Sequence, residues 1–265
     1  MANKDIGVIK RAIVTPDKHF PLHDDAAINV CCKAIEIVKP DTYIDLGDTG
    51  EWEHFSTHYW RGRSSKPMED LIPLLDKDVS DVNEGMDRFD ESLDKVNVKE
   101  RHFIQGNHER WLDKFVTRHP YLSHYMTEKA LNLKERGYKY HPYTRRKLLK
   151  IGKLNFTHGK YVPIHHAKKH LSYYKENVMY GHTHDLQRFT DTCAGGTTSA
   201  WSMGCLKDMT LDEEWLEGRL VNWNHAFAIV DWFKGGNFKV EVVEIINGKT
   251  SLWGELIDGN KKGGK

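Results

Sequence analysis

The chain has 265 residues, 39% of them hydrophobic and 29% charged, with a formal net charge of +1. That length suits one large globular domain or two small ones, and the near-neutral balance excludes a globally basic or acidic binding protein. No apolar run approaches the roughly 18 residues of a membrane span. The N-terminus lacks an apolar signal core, and Cys31, Cys32, Cys193 and Cys205 match neither a disulfide framework nor a zinc motif. A cytoplasmic protein with reduced thiols is expected, and the outlying count is histidine, at 16.

Gly7–Thr15 reads as a first strand, rich in Ile and Val, that runs into Asp17-Lys18-His19. Asp24 or Asp25 then caps a helix through Val38, with Ala27, Ile28, Cys31, Ala34, Ile35 and Val38 on one face, and Pro40 stops it. Thr42–Leu46 is a second strand ending in Gly47-Asp48. From Met68 to Val96, apolar residues alternate spacings of four and three, a heptad seam along one long helix with Pro73 in its first turn. Two readings stay open for this helix. It is the arm of a coiled-coil homodimer, or it packs on the chain's own sheet or against a helix near Thr127–Arg136.

Arg101–Gln105 is a third strand, ending in Gly106-Asn107-His108-Glu109. Lys147–Phe156 reads as two strands folded at Gly152, ending in Thr157-His158-Gly159, and Val178–Tyr180 ends in Gly181-His182-Thr183-His184. Thr198–Leu206, His225–Trp232, Lys239–Ile246 and Leu252–Ile257 complete the strands, and the Gly/Lys-rich tail 259–265 is expected to be disordered. One domain over residues 1–258 is expected, with helical inserts at about 51–98 and 109–140. Helices early and strands late suggest two packed sheets with helices outside.

One pattern recurs five times: a short apolar strand ends, and the next residues are Asp, His or Asn, often beside Gly. Ligands of open α/β folds bind at the carboxyl ends of strands, so five such ends suggest one convergent site. Asp17 and His19, two apart in an extended segment, would point the same way and grip one cation. His182 and His184 repeat that spacing. Asp48 adds a carboxylate able to bridge two metals, Asn107 an amide oxygen, and His108 and His158 further imidazoles. Each fragment alone is weak, and G-H-T-H is the most specific. The full series in this order is improbable by chance.

The series Asp17-x-His19, Gly47-Asp48, Gly106-Asn107-His108-Glu109, His158-Gly159 and Gly181-His182-x-His184 resembles the calcineurin-like metallophosphoesterase superfamily over about residues 7–257. The stretches Gly204–Asp208 and Asn222–Phe227 are similar to members carried by bacteriophages and prophages. The resemblance implies a four-layer α/β/β/α sandwich of two mixed sheets flanked by helices, and a metal-dependent phosphoesterase. It implies that Asp17, His19 and His184 hold one metal, Asn107, His158 and His182 the other, and that Asp48 bridges them. His108 would face the substrate and protonate the leaving oxygen. Glu51, three residues after Asp48, would orient His108, although the pattern here is G-D-x-x-E. Oxygen and imidazole ligands without thiolate suit Mn²⁺ first, with Fe, Zn²⁺ or Ni²⁺ as alternatives. Non-catalytic scaffolds of the superfamily lose ligands or the catalytic His, and here all eight residues are present.

Residues 110–150 hold eleven Lys/Arg and three acids, with seven aromatics among them, whereas residues 66–100 hold five basic and eleven acidic residues. A basic, aromatic stretch starting at His108 suits a nucleic-acid strand; equally, it can be a solvated insert whose aromatics form its own core. Phosphodiester or nucleic-acid substrates are therefore favoured slightly over phosphomonoesters or phosphoproteins. Arg110, Trp111, Trp52, His23, Arg145 and Arg146 are the candidate substrate-binding residues. His54, His58 and the nearby aromatics read as a substrate rim or a hydrophobic satellite. His166 and His170, at i,i+4, read as a solvated basic face rather than a metal pair.

Overall fold

Alternation within single strands decides the architecture. In β1 (Val8–Thr15), Ala12 and Val14 point into one apolar core and Ile13 into another. In β2 (Thr42–Asp45), Ile44 and Tyr43 divide in the same way, so this sheet is covered on both faces. The computed structural model describes residues 7–57, 59–61, 64, 66–143, 148–211 and 216–261.

Four strands of the first sheet run parallel: β1, β2, β3 (Glu100–Ile104) and β4 (Tyr138–His141). Beyond β1, β10 (His225–Phe233) and β11 (Phe238–Ile245) pair antiparallel, giving the order β11-β10-β1-β2-β3-β4. The second sheet has the order β5-β6-β7-β9-β8, from β5 (Leu149–Ile151), β6 (Leu154–Phe156), β7 (Val178–Tyr180), β8 (Leu186–Cys193) and β9 (Gly196–Met203). Its centre, β6-β7-β9, is parallel and its edges antiparallel.

Val14, Ile44, Val230 and Trp232 meet Phe156, Met179, Trp201 and Met203 between the sheets. Outside the first sheet lie α1 (Asp25–Val38), α2 (Met68–Lys95), α3 (Asn107–Arg118) and α4 (Thr127–Ala130). Outside the second lies α5 (His166–Tyr174), which buries Ala167 and Leu171 on Val178, Tyr180 and Ala200. The layers are thus α/β/β/α, as expected. Asp24 caps α1 by accepting the Ala27 N–H at 2.8 Å, and Lys39 ends it in the left-handed conformation.

The seam of α2 is used inside the chain. Leu75, Val82, Met86, Phe89 and Leu93 are buried in the outer core, Met68, Ile72, Val79 and Val96 pack against it, and Asn83 donates to the Ala130 carbonyl at 2.9 Å. Among the described residues this leaves no apolar stripe for a homodimer through residues 68–96. Pro73 falls in the second turn, not the first.

Several elements differ from their sequence reading. Only Thr127–Ala130 of the expected helix to Arg136 is helical. Tyr138–His141, placed in a helical insert, is strand β4. Strand β8 was not expected at all, because Leu186–Cys193 is a polar, largely exposed hairpin arm without an apolar period. Leu252–Ile257 is two strands, β12 (Lys249–Leu252) and β13 (Glu255–Asp258), joined by Trp253 and Gly254, both at positive φ. Gly259 and Asn260 of the expected disordered tail bond to Gly248 and Asn247. No helix among the described residues is long and apolar enough to cross a membrane.

The fate of the seam can be measured. Leu75→Ala should destabilise the protein by about 2–5 kcal/mol through the cavity it leaves, with a thermal midpoint that is independent of protein concentration. A midpoint that moves with concentration would place the seam between two chains.

Candidate metal centre

All five motifs follow the carboxyl ends of parallel strands, three in the first sheet and two in the second, so their side chains converge where the sheets' edges meet. Asp17 and His19 follow β1, Asp48 follows β2, and Asn107 and His108 open α3 after β3. His158 follows β6, and His182 and His184 follow β7.

Ligand atoms of Asp17, His19 and His184 lie within 4.8 Å of one another, as do those of Asp48, His158 and His182, and those of His19, Asp48 and His108. Asp48 is thus shared by the second and third groups, and His19 by the first and third. Its Oδ2 is 3.0 Å from His158 Nε2 and 3.9 Å from His108 Nε2, and its Oδ1 accepts the His108 backbone N–H. Asn107 Oδ1 is 3.0 Å from the same His158 Nε2. His19 and His184 face each other Nε2 to Nε2 at 2.9 Å, and His184 Nε2 is 3.2 Å from Asp17 Oδ2.

The pairs two residues apart do not meet by strand alternation. His19, Asp48, His182 and His184 all have φ between 48° and 74°, the left-handed region. Such conformations cost about 1–3 kcal/mol each for a non-glycine residue and gather at functional sites. They turn the side chains of tight loops inward, which an extended segment would not do.

Glycines make room for the carboxylates. A Cβ at Gly181 would lie 2.0 Å from Asp17 Oδ1, and one at Gly106 would lie 2.1 Å from Asp48 Oδ1. Glu109 is fully buried and accepts four backbone N–H groups: Gly106 and Asp48 at 2.9 Å, Thr49 at 2.8 Å and Gly50 at 3.1 Å. Burial and the Asp48 charge push its carboxyl up to about 7, against those donors.

The electrostatics are those of a cation site. Burial opposes the charges of Asp17 and Asp48, yet His158 and its neighbours hold both carboxyls below the usual range. Burial lowers His19 to about 4 despite Glu51, and burial with the His158 charge lowers His182 to about 3, leaving both imidazoles neutral. Burial also works against a charge on His158, but Asp48 and Asp17 raise it to about 10. Asp17 Oδ1 is buried without a hydrogen-bond partner. An orphaned carboxylate oxygen, two imidazole nitrogens aimed at each other and glycine-lined space around both carboxylates fit divalent metals. The donors are oxygen and imidazole without thiolate.

Glu51 is placed differently from its expected role. His108 Nδ1 bonds the Glu51 backbone carbonyl, while the Glu51 carboxylate reaches His19 Nδ1 at 2.8 Å and Lys207 Nζ at 3.1 Å; its Oε1 stays 3.8 Å from His108. His108 also packs on Trp111, ring centroids 3.9 Å apart. Arg110 lies over Tyr143, whose hydroxyl donates to the Gly159 carbonyl.

The other candidates lie apart from these groups or outside the described residues. Trp52 is 1% exposed and belongs to the outer core. His23 packs on Phe20 and meets Arg88 and Asp25, on the side of α1 and α2. Arg145, Arg146 and His58 lie outside the described residues. His54 contacts Tyr59, and Phe55 packs on Phe115, a satellite of the core. His166 and His170 are buried rather than solvated. His166 bonds Tyr180 and Asp185, and His170 bonds the His166 carbonyl and the Lys160 N–H, so neither ring is left for a metal.

The motifs gave no hint of Lys207, which is buried beneath His19, or of Trp223, which packs on His184. Lys207 lies in the Gly204–Asp208 stretch, but no spacing rule ties it to a strand end.

No protein-family model and no curated protein sequence matches the chain. Solved structures do. A single mutant of Vps29 from Entamoeba histolytica is 14% identical, with 94% of this chain and 98% of that one covered and a TM-score of 0.48. A dimetal phosphatase from Danio rerio is 12% identical over 89% and 95%, TM-score 0.43. The nuclease MPE of Pseudomonas putida is 12% identical over 87% of each chain, TM-score 0.34. The chain is similar to these proteins in its path.

Gly181→Ala tests the cradle. The added methyl must displace Asp17, so the rise in thermal midpoint that wild-type protein gains from Mn²⁺ should shrink, while the midpoint in chelator changes little. Equal Mn²⁺-induced shifts in both proteins would show that Asp17 takes no part in binding.

Proposed function

We propose that the chain is a dinuclear-metal-dependent phosphoesterase. The observation that carries the reading is that Asp48 is shared by two of the ligand groups, with His108 beside it at 3.9 Å. Asp17, His19 and His184 would hold one cation and Asn107, His158 and His182 the other, with Asp48 as the shared carboxylate. When bound, two such cations neutralise phosphoryl oxygens and lower the pKa of a water between them. Mn²⁺ is the first choice for the pair, with Fe, Zn²⁺ or Ni²⁺ as alternatives.

The chain's own residues supply the rest. The Glu51 carbonyl accepts from His108 Nδ1, which fixes the ring and turns Nε2 toward the cleft. From there Nε2–H can protonate the leaving oxygen. A scaffold without catalysis has no need of this imidazole, and here it is held in place with the full ligand set.

A phosphodiester, above all a nucleic-acid strand, is the preferred substrate. Arg110, Lys114 and Arg118 recur every four residues along α3, which starts at Asn107, and line an open depression of about 510 Å³. One turn per residue pair gives steps of about 6 Å leading away from His108. None of the three has a carboxylate at ion-pair distance among the described residues. Asp113, which lines the same depression, is occupied by Thr127, Gln105 and Tyr140. Trp111, against His108, offers a face for a base.

Two experiments test these statements. His108→Gln should keep its metals yet slow esters with poor leaving groups by ~10²–10⁴-fold, with a smaller loss on good leaving groups. Undiminished turnover of a poor-leaving-group ester would remove His108 from its role.

The joint variant Lys114→Ala/Arg118→Ala should raise KM for an oligonucleotide more than for a small aryl diester. It should also flatten the salt dependence of single-strand binding by roughly 1.4 in log–log slope, about 0.7 for each phosphate no longer neutralised. An unchanged slope sinks the nucleic-acid preference, and preferential turnover of phosphopeptides would replace it with a protein-phosphatase reading.

A further inference from the structure

Behind His19 lies an ion pair that none of the five motifs contains. Glu51 Oε2 is shared between His19 Nδ1 at 2.8 Å and Lys207 Nζ at 3.1 Å. The three side chains are almost out of solvent, with exposures of 1% for His19, 13% for Glu51 and 3% for Lys207. Glu51 Oε2 approaches Nδ1 as an ion-pair contact without hydrogen-bond alignment, and a carboxylate offers no proton, so its charge favours the His19 tautomer with the proton on Nδ1. The lone pair is then on Nε2, which faces His184 and Asp17.

The Lys207 ammonium is held where it is. The Leu206 N–H donates to the Asp17 carbonyl at 2.6 Å, the Asp208 N–H to the Leu22 carbonyl at 2.8 Å, and His225 Nε2 to the Lys207 carbonyl at 2.7 Å. The segment 206–208 is thereby fastened to the loop that carries Asp17 and His19. A lysine so placed cannot turn to solvent, and a buried ammonium persists only beside an anion.

We propose that Glu51 and Lys207 are positioning residues that set the donor strength of His19 from opposite sides. The proposal rests on the dinuclear reading above. The Glu51 carboxylate, 2.8 Å from Nδ1, favours that tautomer through its charge and makes Nε2 more electron-rich, as a carboxylate behind a ligating histidine does. Lys207 offsets that negative charge and restrains the effect. One cation of the pair is therefore held less tightly than Asp17, His19 and a free Glu51 would hold it. The group at residue 51 acts through His19 rather than through His108, which leans on its backbone carbonyl.

The test is a Mn²⁺ titration of chelator-stripped full-length protein, with free Mn²⁺ followed by electron paramagnetic resonance. Glu51→Gln should weaken one of the two sites by about 10–100-fold and leave the other near its wild-type affinity. Lys207→Met should tighten that same site, and Lys207→Arg should restore the wild-type value. A merely structural pair would weaken under both substitutions, so the opposite signs are the signature. Lys207→Gln carries the same expectation as Lys207→Met should the latter not fold. The proposal is overturned if Glu51→Gln leaves both affinities unchanged, or if the Lys207 variants weaken the site as Glu51→Gln does. If wild-type protein takes up fewer than two Mn²⁺ ions, the dinuclear reading fails first and takes this inference with it.

Discussion

Four backbone N–H groups point at one buried carboxylate, and the geometry of the metal centre depends on it. Glu109 takes the N–H groups of Gly106, Asp48, Thr49 and Gly50. These belong to two separate strand-end loops, so a single side chain welds the loop after β2 to the first turn of α3. Asp48 sits at a φ of 48°, in the left-handed region, with its N–H held by Glu109. The Lys18–Asp45 pair, buried at 2.8 Å, and the Asp45 bonds to Gly47 and Thr49 brace the same loop from below. A glutamate at the third helical position also serves as the usual reach back to the helix start. Here that local device has been extended across the fold to position a ligand.

The second constraint is charge. Asp17, Asp48 and Glu51 are carboxylates withdrawn from water, and burying each without a counter-charge would cost several kcal/mol. Within the chain, Lys207 answers Glu51 and an imidazolium at His158 answers Asp48 and Asp17. His19 and His182, neutral because burial drives off their protons, are already in the form that binds a metal. The strained backbone, the glycine cradles and the orphaned Asp17 oxygen fit a site for cations, whose binding would displace the His158 proton.

Legibility in the sequence followed the physical origin of each feature. The strand ends were readable because apolar runs stop abruptly at Asp, His or Asn, and Val178–Tyr180 was placed to the residue. The four layers followed from helices early and strands late. Strand β8 was not readable, since its residues face solvent and carry no period. The Trp253-Gly254 turn lacked the usual Asn-Gly signal. The expectation that Asp17 and His19 share a face came from strand alternation, and the true cause is left-handed backbone, which no residue pattern announces. Lys207 was invisible for a different reason: it reaches the site through tertiary pairing of segment 206–208 with the β1–α1 connection.

Glu51, three residues after Asp48, divides its contacts between two histidines. The backbone carbonyl of Glu51 holds the His108 ring, and its side-chain Oε1 lies 3.8 Å from the same ring. The other carboxylate oxygen meets His19 and Lys207 instead. A comparable sorting applies to the basic stretch after His108. Arg136 is tied to Asp87 at 2.6 Å and to Asp90, and Lys139 lies 3.9 Å from Glu100, so these two cations of residues 110–150 are paired with the acidic stretch 66–100, while Lys150 pairs with Glu176. Counting charges along the chain cannot separate those structural cations from Arg110, Lys114 and Arg118. Only the helix does so, by placing those three at four-residue intervals along one depression.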